Sequence, residues 1–304
     1  MTNIIIMGAG ELGSAIGKIL KEGKAGEITF WDKNPAIVIG QKSLAETVPT
    51  ADFLLMCVPS WAMREAVKDV GRYLTGKTTV ISFAKGMEPK TMDDLLDEVL
   101  PSATAEGTPI EKRFAILSGP MIAEELAMGK QGMAVVACAD RKIYSQIRKI
   151  FKDTNISLEY SSDVKGVALA GTLKNIYSVG LGIIDAMELG GNAKGWFAAK
   201  AEEEMAEIIS VLGGKKKTAL GVAGLGDLVT TGFSDYSRNK KAGGELIQTG
   251  KCCLRSEGTA SIAPIYSLLG DKAKDFELLS ALYRVLAQGE NSKSVFGQIL
   301  NNLK

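Results

Sequence analysis

Residues 3–13 read Asn-Ile-Ile-Ile-Met-Gly-Ala-Gly-Glu-Leu-Gly, and the architecture of the first half of the chain can be worked out from them. The apolar start predicts a buried strand, and the glycines that follow at once predict a tight turn. Helical spacing covers residues 14–22, and a second apolar run over 27–32 ends in an aspartate. Strand, glycine turn, helix, strand and acid within about 30 residues form the context that a dinucleotide-binding fingerprint requires. The stretch therefore predicts the first βαβ unit of a Rossmann-type fold.

The glycine turn and the end of the second strand supply the residues expected to bind the dinucleotide. The first two glycines allow the tight turn and the close approach of the pyrophosphate, and the third lets the helix pack against the strand. The helix N-terminus offers unpaired N–H groups to the phosphates. The residues assigned to cofactor binding here are Gly8, Gly10, Glu11, Leu12, Gly13 and Asp32.

The rest of the chain divides into an alternating part and a helical part. Further strands are predicted at 52–58, 78–83, 114–117 and 132–137, with helices at about 60–74, 89–100, 120–129 and 140–152. This alternation is typical of a doubly wound, mostly parallel sheet. Later segments all have helical spacing, at 162–188, 193–212, 214–221, 235–249, 256–270 and 274–287.

A chain of 304 residues is long for one core, so two domains are expected. We predict an NAD(P)-binding Rossmann domain over residues 1–158 and an all-helical substrate-binding and catalytic domain over 159–304. The boundary should fall near residues 156–162, where the pattern changes.

The composition excludes several classes of function. A net charge of +1 gives no electrostatic reason to expect nucleic acid or an anionic membrane as a partner. The four cysteines lack metal-ligand spacing and the chain has no histidine, so no metal site is expected. The longest apolar stretch, 167–184, contains a lysine, an asparagine and several glycines, which argues against a membrane span. The first strand leaves no room for a signal peptide, so we expect a cytoplasmic protein with reduced thiols.

Lys174 is the most informative single residue, because it interrupts this apolar helical stretch. Its neighbours one helical turn away, Ala170, Gly171, Tyr177 and Ser178, carry no charge that could pair with it. Burying an ammonium without a partner costs several kcal/mol. Without histidine, a proton carrier near neutral pH must be Lys, Asp, Glu, Tyr or Cys. Lys174 therefore either reaches solvent at a helix edge, pairs with a distant carboxylate, or carries protons with a lowered pKa.

Four segments could converge on a reacting cofactor, namely 82–86, 118–120, 171–175 and 224–231 continued to 237–239. Lys85 would lie just past a strand, at the carboxyl edge where such folds bind ligands. Asp227, on a glycine-rich turn, is a plausible partner for Lys174, and Arg238 with Asn239 could hold a phosphate. Each has an ordinary explanation alone: a solvated loop charge, a helix cap, a surface arginine. Their occurrence together favours an active site.

These segments, in this order, resemble the NAD(P)-dependent glycerol-3-phosphate dehydrogenases over nearly the whole chain. The motifs Leu-Lys-Asn at 173–175, Gly-Leu-Gly-Asp-Leu at 224–228 and Ser-Arg-Asn at 237–239 are specific to that family. The resemblance implies that Lys174 is the catalytic acid and base, that Asp227 supports it, and that Lys85 contacts substrate and cofactor. Further substrate-binding residues implied by it are Gly119, Asn175, Thr231, Ser237, Arg238 and Asn239. Further cofactor-binding residues implied by it are Lys33, Ala123, Arg238 and Glu257.

The resemblance implies interconversion of sn-glycerol 3-phosphate and dihydroxyacetone phosphate, by a protein that could be a homodimer. Three departures from the family pattern leave the substrate open: a shortened segment over 33–51, Met121-Ile122 after the Ser-Gly-Pro motif, and Lys200 where arginine is common. One alternative is a related dehydrogenase for another small phosphorylated or hydroxy-acid substrate. The other is a non-catalytic NAD(P)-binding regulator.

The residues at the end of the second strand give mixed evidence on the cofactor. A carboxylate at Asp32 repels a 2′-phosphate and favours NAD. Lys33 follows directly, and the family often places a basic residue there to hold that phosphate. Because a lysine can swing to solvent whereas the aspartate is tightly placed, we expect NAD, with NADP possible.

Overall fold

A computed structural model describes residues 1–86 and 112–302 of the chain. The chain forms two compact units, one comprising Met1–Ala84 with Thr91–Val167 and the other Lys85–Lys90 with Ala168–Lys304. The helix expected over residues 89–100 lies outside the described residues. The expected boundary between residues 158 and 159 falls inside a strand of the first unit.

The described strands of the first unit form one seven-stranded sheet of order β2-β1-β3-β4-β5-β6-β7. Their bounds are β1 Asn3–Met7, β2 Glu27–Trp31, β3 Phe53–Met56, β4 Thr79–Ser82, β5 Phe114–Ser118, β6 Gly132–Cys138 and β7 Ile156–Ser161. Neighbouring strands are parallel except β5 and β6, which are antiparallel. The predicted doubly wound, mostly parallel sheet is confirmed.

Helices cover the sheet and supply part of its core. In the described residues of this unit they are α1 Glu11–Glu22, α2 Leu44–Thr47, α3 Ser60–Gly71, α4 Ala123–Ala127 and α5 Arg141–Ile150. The α1 helix buries Ile16, Ile19 and Leu20 on one face, which fixes it against the sheet beside β1. Full burial of such side chains contributes about 1.5–3 kcal/mol each.

The stretch 156–162, where the sequence predicts the domain boundary, contains a strand of the first unit. Residues 156–161 are strand β7, which pairs in parallel with β6 from Gly132↔Ile156 to Ala137↔Ser161. The alternation of Ile156, Leu158 and Tyr160 with polar residues is the signal of a half-buried strand. The helical pattern begins only after this strand.

The second unit is helical, as the sequence predicts. Together with α6, which begins in the last residues of the first unit, its described helices are α6 Val164–Ala186, α7 Gly190–Val211, α8 Lys216–Ala219, α9 Asp227–Phe233, α10 Arg238–Thr249, α11 Glu257–Leu269, α12 Glu277–Leu286 and α13 Ser292–Asn301. By length and composition α6 could cross a membrane, yet 94% of its apolar stretch is buried, as in a core helix.

Three local features of this unit differ from the sequence prediction. Val222–Gly226 is a π-helix rather than a turn, and it runs directly into α9. Gly270–Asp275 is a 3₁₀-helix that separates α11 from α12. The α13 helix was not predicted, since its composition is rich in Ser, Asn and Gly; it is capped by Asn291, which accepts a hydrogen bond from the Ser294 N–H at 3.0 Å.

Candidate active site

The glycine turn after β1 is held by backbone contacts that exclude other side chains. Gly8 has φ +94°, and its N–H donates to the Trp31 carbonyl at 2.9 Å. A Cβ at Gly8 would lie 2.8 Å from the Cys57 carbonyl oxygen, and one at Gly13 would lie 1.9 Å from the Gly8 carbonyl oxygen. Both glycines are therefore required by close backbone approach.

Gly10 has a different role, since a Cβ there would meet nothing within 4 Å. It is the N-cap of α1 and provides no side-chain cap, so the N–H groups of Glu11 and Leu12 are left for another acceptor. An open cradle at the positive end of a helix suits a phosphate group. The turn therefore fits the pyrophosphate of a dinucleotide.

Asp32 binds the glycine turn directly. One carboxylate oxygen accepts the Ala9 N–H at 2.8 Å, and the other accepts the Asn34 N–H at 2.9 Å. The adjacent Lys33 is exposed and donates to the Glu65 carboxylate at 2.5 Å; this hydrogen bond raises the lysine pKa. In this arrangement the aspartate is fixed beside the turn, while the lysine is directed to α3.

Two further residues of the first unit were assigned to the site from the sequence. Gly119 follows β5 with φ +145°, and a Cβ there would lie 2.6 Å from the Met133 carbonyl oxygen. Ala123 is the first residue of α4. The neighbouring Ser118 hydroxyl is buried and, among the described residues, has no hydrogen-bond partner.

In the second unit, two lysines share one buried carboxylate. The Lys174 Nζ lies 3.0 Å from one oxygen of Asp227, and the Lys85 Nζ lies 2.7 Å from the other. Lys174 also donates to the Thr231 hydroxyl at 2.7 Å, which in turn donates to Asp227 at 3.2 Å. Lys174 and Asp227 are 4% and 1% exposed, so the reading of Lys174 as a solvated edge residue is excluded.

The local backbone explains how Asp227 comes to face the lysines. It begins α9 immediately after the π-helix, where a Cβ at Gly224 would lie 1.9 Å from the Ala219 carbonyl oxygen. Only glycine permits this approach, and π-helical turns are frequent at functional sites. Thr231 lies four residues after Asp227, so its hydroxyl and the Asp227 carboxylate lie on the same face of the helix.

Burial and charge set the proton affinities of this cluster. Burial lowers the pKa of Lys174 to about 8, with the positive charge of Lys85 acting in the same direction, while Asp227 and the more distant charge of Glu257 oppose the shift. Burial alone would raise the pKa of Asp227, but Lys174 and Lys85 overcome this and hold it below its usual value. The arrangement thus combines an ionised carboxylate with a lysine that can exchange a proton near neutral pH.

Two asparagines connect this cluster to neighbouring backbone. Asn175 donates to the Lys85 carbonyl at 2.6 Å and accepts from the Asn239 amide at 2.8 Å. The Asn239 oxygen accepts the Gly258 N–H at 2.9 Å, in the first turn of α11. Both amides therefore hold Lys85, α6, α10 and α11 in place, a positioning role that the sequence did not indicate.

The remaining assigned residues lie at the starts of α10 and α11. Ser237 caps α10 by accepting the Lys240 N–H at 3.1 Å, and Arg238 is the first, exposed residue of that helix. Glu257 begins α11 and is half-buried. Arg238 is the exposed cation of this group that could meet an anionic ligand.

Sequence reasoning missed one residue that supports the lysine helix. Glu204 on α7 accepts the Leu278 and Leu279 N–H groups at 2.8 and 3.0 Å, which caps α12. Its carboxylate also accepts the Tyr177 hydroxyl at 2.7 Å, one turn after Lys174 on α6. A glutamate among the apolar positions of a buried helix was the available signal.

Comparisons with known proteins agree on one family. The model of the NAD-dependent glycerol-3-phosphate dehydrogenase N-terminus matches residues 35–144, and that of the C-terminus matches residues 163–297. A glycerol-3-phosphate dehydrogenase (NAD(P)+) of Bacillus cereus strain AH187 is 28% identical over 338 aligned positions, covering 100% of this chain and 97% of the relative.

Solved structures share the fold over the full length. Glycerol-3-phosphate dehydrogenase from Coxiella burnetii superposes with a TM-score of 0.87 at 23% identity, covering 98% of each chain. The enzyme of the same name from Plasmodium falciparum gives 0.82 at 20% identity, covering 99% of this chain and 96% of the other.

Proposed function

The chain belongs to the NAD-dependent glycerol-3-phosphate dehydrogenase family, and from this premise we propose how its residues interconvert sn-glycerol 3-phosphate and dihydroxyacetone phosphate. It is an NAD(P)-dependent oxidoreductase. The observation that carries the residue assignment is the buried Lys174–Asp227–Lys85 cluster. The experiment that tests it measures turnover with the phosphorylated ketone.

The dinucleotide is held by the first unit. Gly10 and the free N–H groups of Glu11 and Leu12 receive the pyrophosphate, and Asp32 lies beside the turn for the ribose hydroxyls. When bound, the nicotinamide supplies or accepts a hydride. Gly8 and Gly13 keep the turn narrow and hold α1 against it, so the cradle is formed before the ligand arrives.

Lys174 donates the proton in reduction and accepts it in oxidation. An ammonium has three N–H donors, and within the described residues Asp227 and Thr231 take two of them. The third donates to the substrate C2 oxygen, stabilises negative charge there, and passes its proton in the reduction direction. In the oxidation direction the neutral amine takes the proton from the hydroxyl. A pKa of about 8 makes both forms available near neutral pH.

The charge of the buried cluster favours binding of the substrate phosphate. With Lys174 protonated, the cluster of two lysines and one aspartate has a net charge of +1, which favours an anionic substrate. Lys85 contacts the substrate and the cofactor, as does Arg238, whose exposed guanidinium forms a rigid fork for phosphate. The family resemblance further assigns Gly119, Ser237 and Thr231 to substrate binding, and Ala123 and Glu257 to cofactor binding. Asn175 and Asn239 fix Lys85 and α11.

The two units have different roles in the proposed reaction. The first unit, which contains the glycine turn and Asp32, provides cofactor binding, and the second, which contains Lys85, Lys174 and Asp227, provides the proton carrier and the substrate-binding cations. NAD is the preferred cofactor, because Asp32 is fixed beside the turn by two backbone hydrogen bonds whereas Lys33 pairs with Glu65. Cytoplasmic localisation and a homodimer remain part of the proposal.

A steady-state assay tests this function. NADH oxidation is followed with dihydroxyacetone phosphate, with dihydroxyacetone, and with small hydroxy-acid precursors, and is repeated with NADPH. We expect turnover with the phosphorylated ketone, little with the unphosphorylated one, and a higher kcat/KM for NADH. A higher kcat/KM for another ketone would support a related dehydrogenase, and cofactor binding without any turnover would support a regulator.

A further inference from the structure

A cavity of about 460 Å³ lies in the first unit, outside the residues assigned to catalysis. Its volume is within the range of about 300–1,000 Å³ that is usual for small-molecule sites. It is lined by Trp31, Pro35, Gln41, Lys42, Ser43, Leu44, Asp69, Arg72 and Tyr73. Most of these belong to the segment over 33–51 that the sequence showed to be shortened, and to the end of α3.

The cavity lies on the sheet face opposite to α1. The Phe30 ring packs against Gly17 of α1, with a built Cβ at that glycine falling 2.1 Å from the ring. Successive strand residues face opposite sides, so the Trp31 side chain faces away from α1. Asp69, Arg72 and Tyr73 are three and four residues apart at the end of α3, so they share one face. Glu65, which pairs with Lys33, lies one turn before Asp69 on that helix.

The lining combines aromatic rings with available cations. Trp31 and Tyr73 are half-buried rings, and Leu44 adds apolar surface. Lys42 is exposed and, within residues 1–86 and 112–302, forms no ion pair. Arg72 makes an exposed contact with Asp69 at 3.8 Å, which holds it weakly, and its guanidinium lies 5.6 Å from the centre of the Tyr73 ring, so this cation and this ring are already side by side. Two cations and one carboxylate leave the cavity positive, and flat rings beside cations suit an aromatic anion.

Two residues that line the cavity, Gln41 and Trp31, are connected to the glycine turn by hydrogen bonds. The Gln41 amide accepts the Asp32 N–H at 2.9 Å and donates to the Asp32 carbonyl at 2.8 Å. The Asp32 carboxylate accepts the Ala9 N–H, and the Trp31 carbonyl accepts the Gly8 N–H. A ligand that moves Gln41 or Trp31 therefore acts on the turn through one or two hydrogen bonds.

We propose that this cavity is a second binding site, for a nucleoside monophosphate, whose base packs on Trp31 and Tyr73 and whose phosphate binds Lys42 and Arg72. Occupancy changes the affinity of the glycine turn for the dinucleotide through Gln41 and Asp32. By linkage, the dinucleotide changes the affinity of the cavity by the same factor. The site goes beyond the dehydrogenase activity, which does not require it.

The test uses AMP as the probe, titrated calorimetrically into the full chain at increasing fixed concentrations of NADH. AMP is also a fragment of the dinucleotide, so saturation with NADH is needed to remove binding at the glycine turn. We expect one AMP bound per chain at saturating NADH, with an apparent Kd that reaches a plateau. An apparent Kd that rises in proportion to NADH without a plateau, or no AMP binding at saturation, would overturn the proposal.

Charge variants locate the phosphate. With NADH saturating, Lys42→Ala and Arg72→Ala should each weaken AMP binding about tenfold or more, and leave adenosine binding unchanged. Lys68→Ala is the matched control, since Lys68 is an exposed lysine of α3 outside the cavity, and should bind AMP like the unmodified chain. An unchanged Kd in both cavity variants, or an equal loss in the control, would contradict the proposal. Turnover measured on the same samples keeps this outcome separate from a failure of the dehydrogenase assignment.

Discussion

Asp227 supplies one negative charge to two lysines in a buried site, and this single carboxylate determines what both lysines can do. Desolvating three ionised groups is expensive, and a buried network is stable only while every charge keeps its partner. Lys85 and Lys174 each use one oxygen of Asp227, while Thr231 fixes the amine of Lys174 from the side. The same desolvation that destabilises the buried charges also lowers the Lys174 pKa to about 8.

Replacing Asp227 by Asn removes the charge and keeps the shape. The attraction that supports the protonated lysine is lost while the repulsion from Lys85 remains, so the Lys174 pKa should fall further below 8. In dihydroxyacetone phosphate reduction the alkaline fall of kcat/KM should then move to lower pH. Thr230→Ala serves as the control for folding. Thr230 lies on the same helix as Asp227, but its hydroxyl donates to the Gly226 carbonyl. An alkaline limb that stays in place would show that Asp227 does not act on the proton carrier.

Arg238→Ala should mainly weaken binding of the phosphorylated substrate. Loss of a charge-assisted contact costs about 1.5–3 kcal/mol, so the Michaelis constant should rise about 10- to 150-fold. Lys241→Ala removes an exposed charge from the same helix and should change little. If the Michaelis constant and kcat/KM both stay unchanged in Arg238→Ala, another residue holds the phosphate.

At the scale of residues, the sequence indicated the contact between Lys174 and Asp227, which the structure shows, but not the backbone groups that other residues of the cluster touch. Lys174 was identifiable because an unpaired ammonium in an apolar helix needs an explanation, and Asp227 because it was a plausible partner. The positioning roles of Asn175 and Asn239 were not predictable, since their partners are backbone groups of Lys85 and Gly258. Backbone contacts between distant segments leave no pattern in side-chain type.

At the scale of elements, the turn between β1 and α1 separates stability from binding. Three glycines occur in one fingerprint, yet only two of them are enclosed by protein. Gly8 and Gly13 meet backbone oxygens, whereas Gly10 faces open space. The same sequence motif thus contains two positions where the fold requires glycine and one position, Gly10, that the fold leaves open for the proposed dinucleotide.

Substitutions at Gly10 and Gly13 should therefore differ in kind. Gly10→Ala fits its conformation of φ −71° and should keep the melting temperature while weakening NADH binding, because its methyl group enters the phosphate cradle. Gly13→Ala must displace the Gly8 carbonyl and should lower the melting temperature by several degrees. Thermal unfolding without ligand, and NADH titration, measure the two effects. Equal NADH affinity in Gly10→Ala and the unmodified chain would place the pyrophosphate elsewhere.

Helix α7 carries a buried acid that no described residue pairs with. Both carboxylate oxygens of Glu202 are buried without a hydrogen-bond partner in the described part of the chain, and burial raises the pKa of this group to about 7. A carboxyl group whose folded pKa is raised destabilises the protein by nothing below its ordinary value of 4.5, and this destabilisation grows as pH rises from 4.5 to about 7 and then stays constant. Stability should therefore be lost between pH 4.5 and about 7.

Glu202→Gln should stabilise the protein at pH 8 and change little at pH 4.5. The expected gain at pH 8 is about 3.5 kcal/mol, because the pKa is raised from 4.5 to about 7 and each pKa unit corresponds to about 1.4 kcal/mol. Glu203→Gln is the matched control on the same helix, because Glu203 is exposed and paired with Lys200. Denaturant unfolding at both pH values measures the difference. A gain of the same size at pH 4.5 would show that ionisation is not the cause.

Elements with regular apolar spacing were predictable, whereas the π-helix Val222–Gly226, the 3₁₀-helix Gly270–Asp275 and α13 were not. The sheet strands and α6, α7 and α10 follow from apolar spacing and caps, with ends within a few residues. The π-helix before α9 depends on the close approach of Gly224 to Ala219, which no periodicity records. β7 has the alternating pattern of a strand, but it lies where the pattern changes to helical spacing, so the sequence predicts the domain boundary there.

At the scale of the whole molecule, each unit contains a different part of the chemistry. The first has the glycine turn with Asp32, and the second has the buried Lys174 paired with Asp227. Membership of the family accounts for both parts occurring in one chain. The central claim is that Lys174 transfers the proton.

Turnover of Lys174→Ala with NADH and dihydroxyacetone phosphate tests that claim most directly, with NADH affinity measured on the same sample and Lys200→Ala as a control for loss of an exposed lysine. Positioned proton transfer contributes about 10²–10⁴-fold, so kcat should fall at least about 100-fold while NADH binding is kept. The unmodified enzyme should lose reduction activity as pH rises through about 8, where Lys174 deprotonates. A Lys174→Ala variant that retains more than about a tenth of the unmodified turnover would contradict the account.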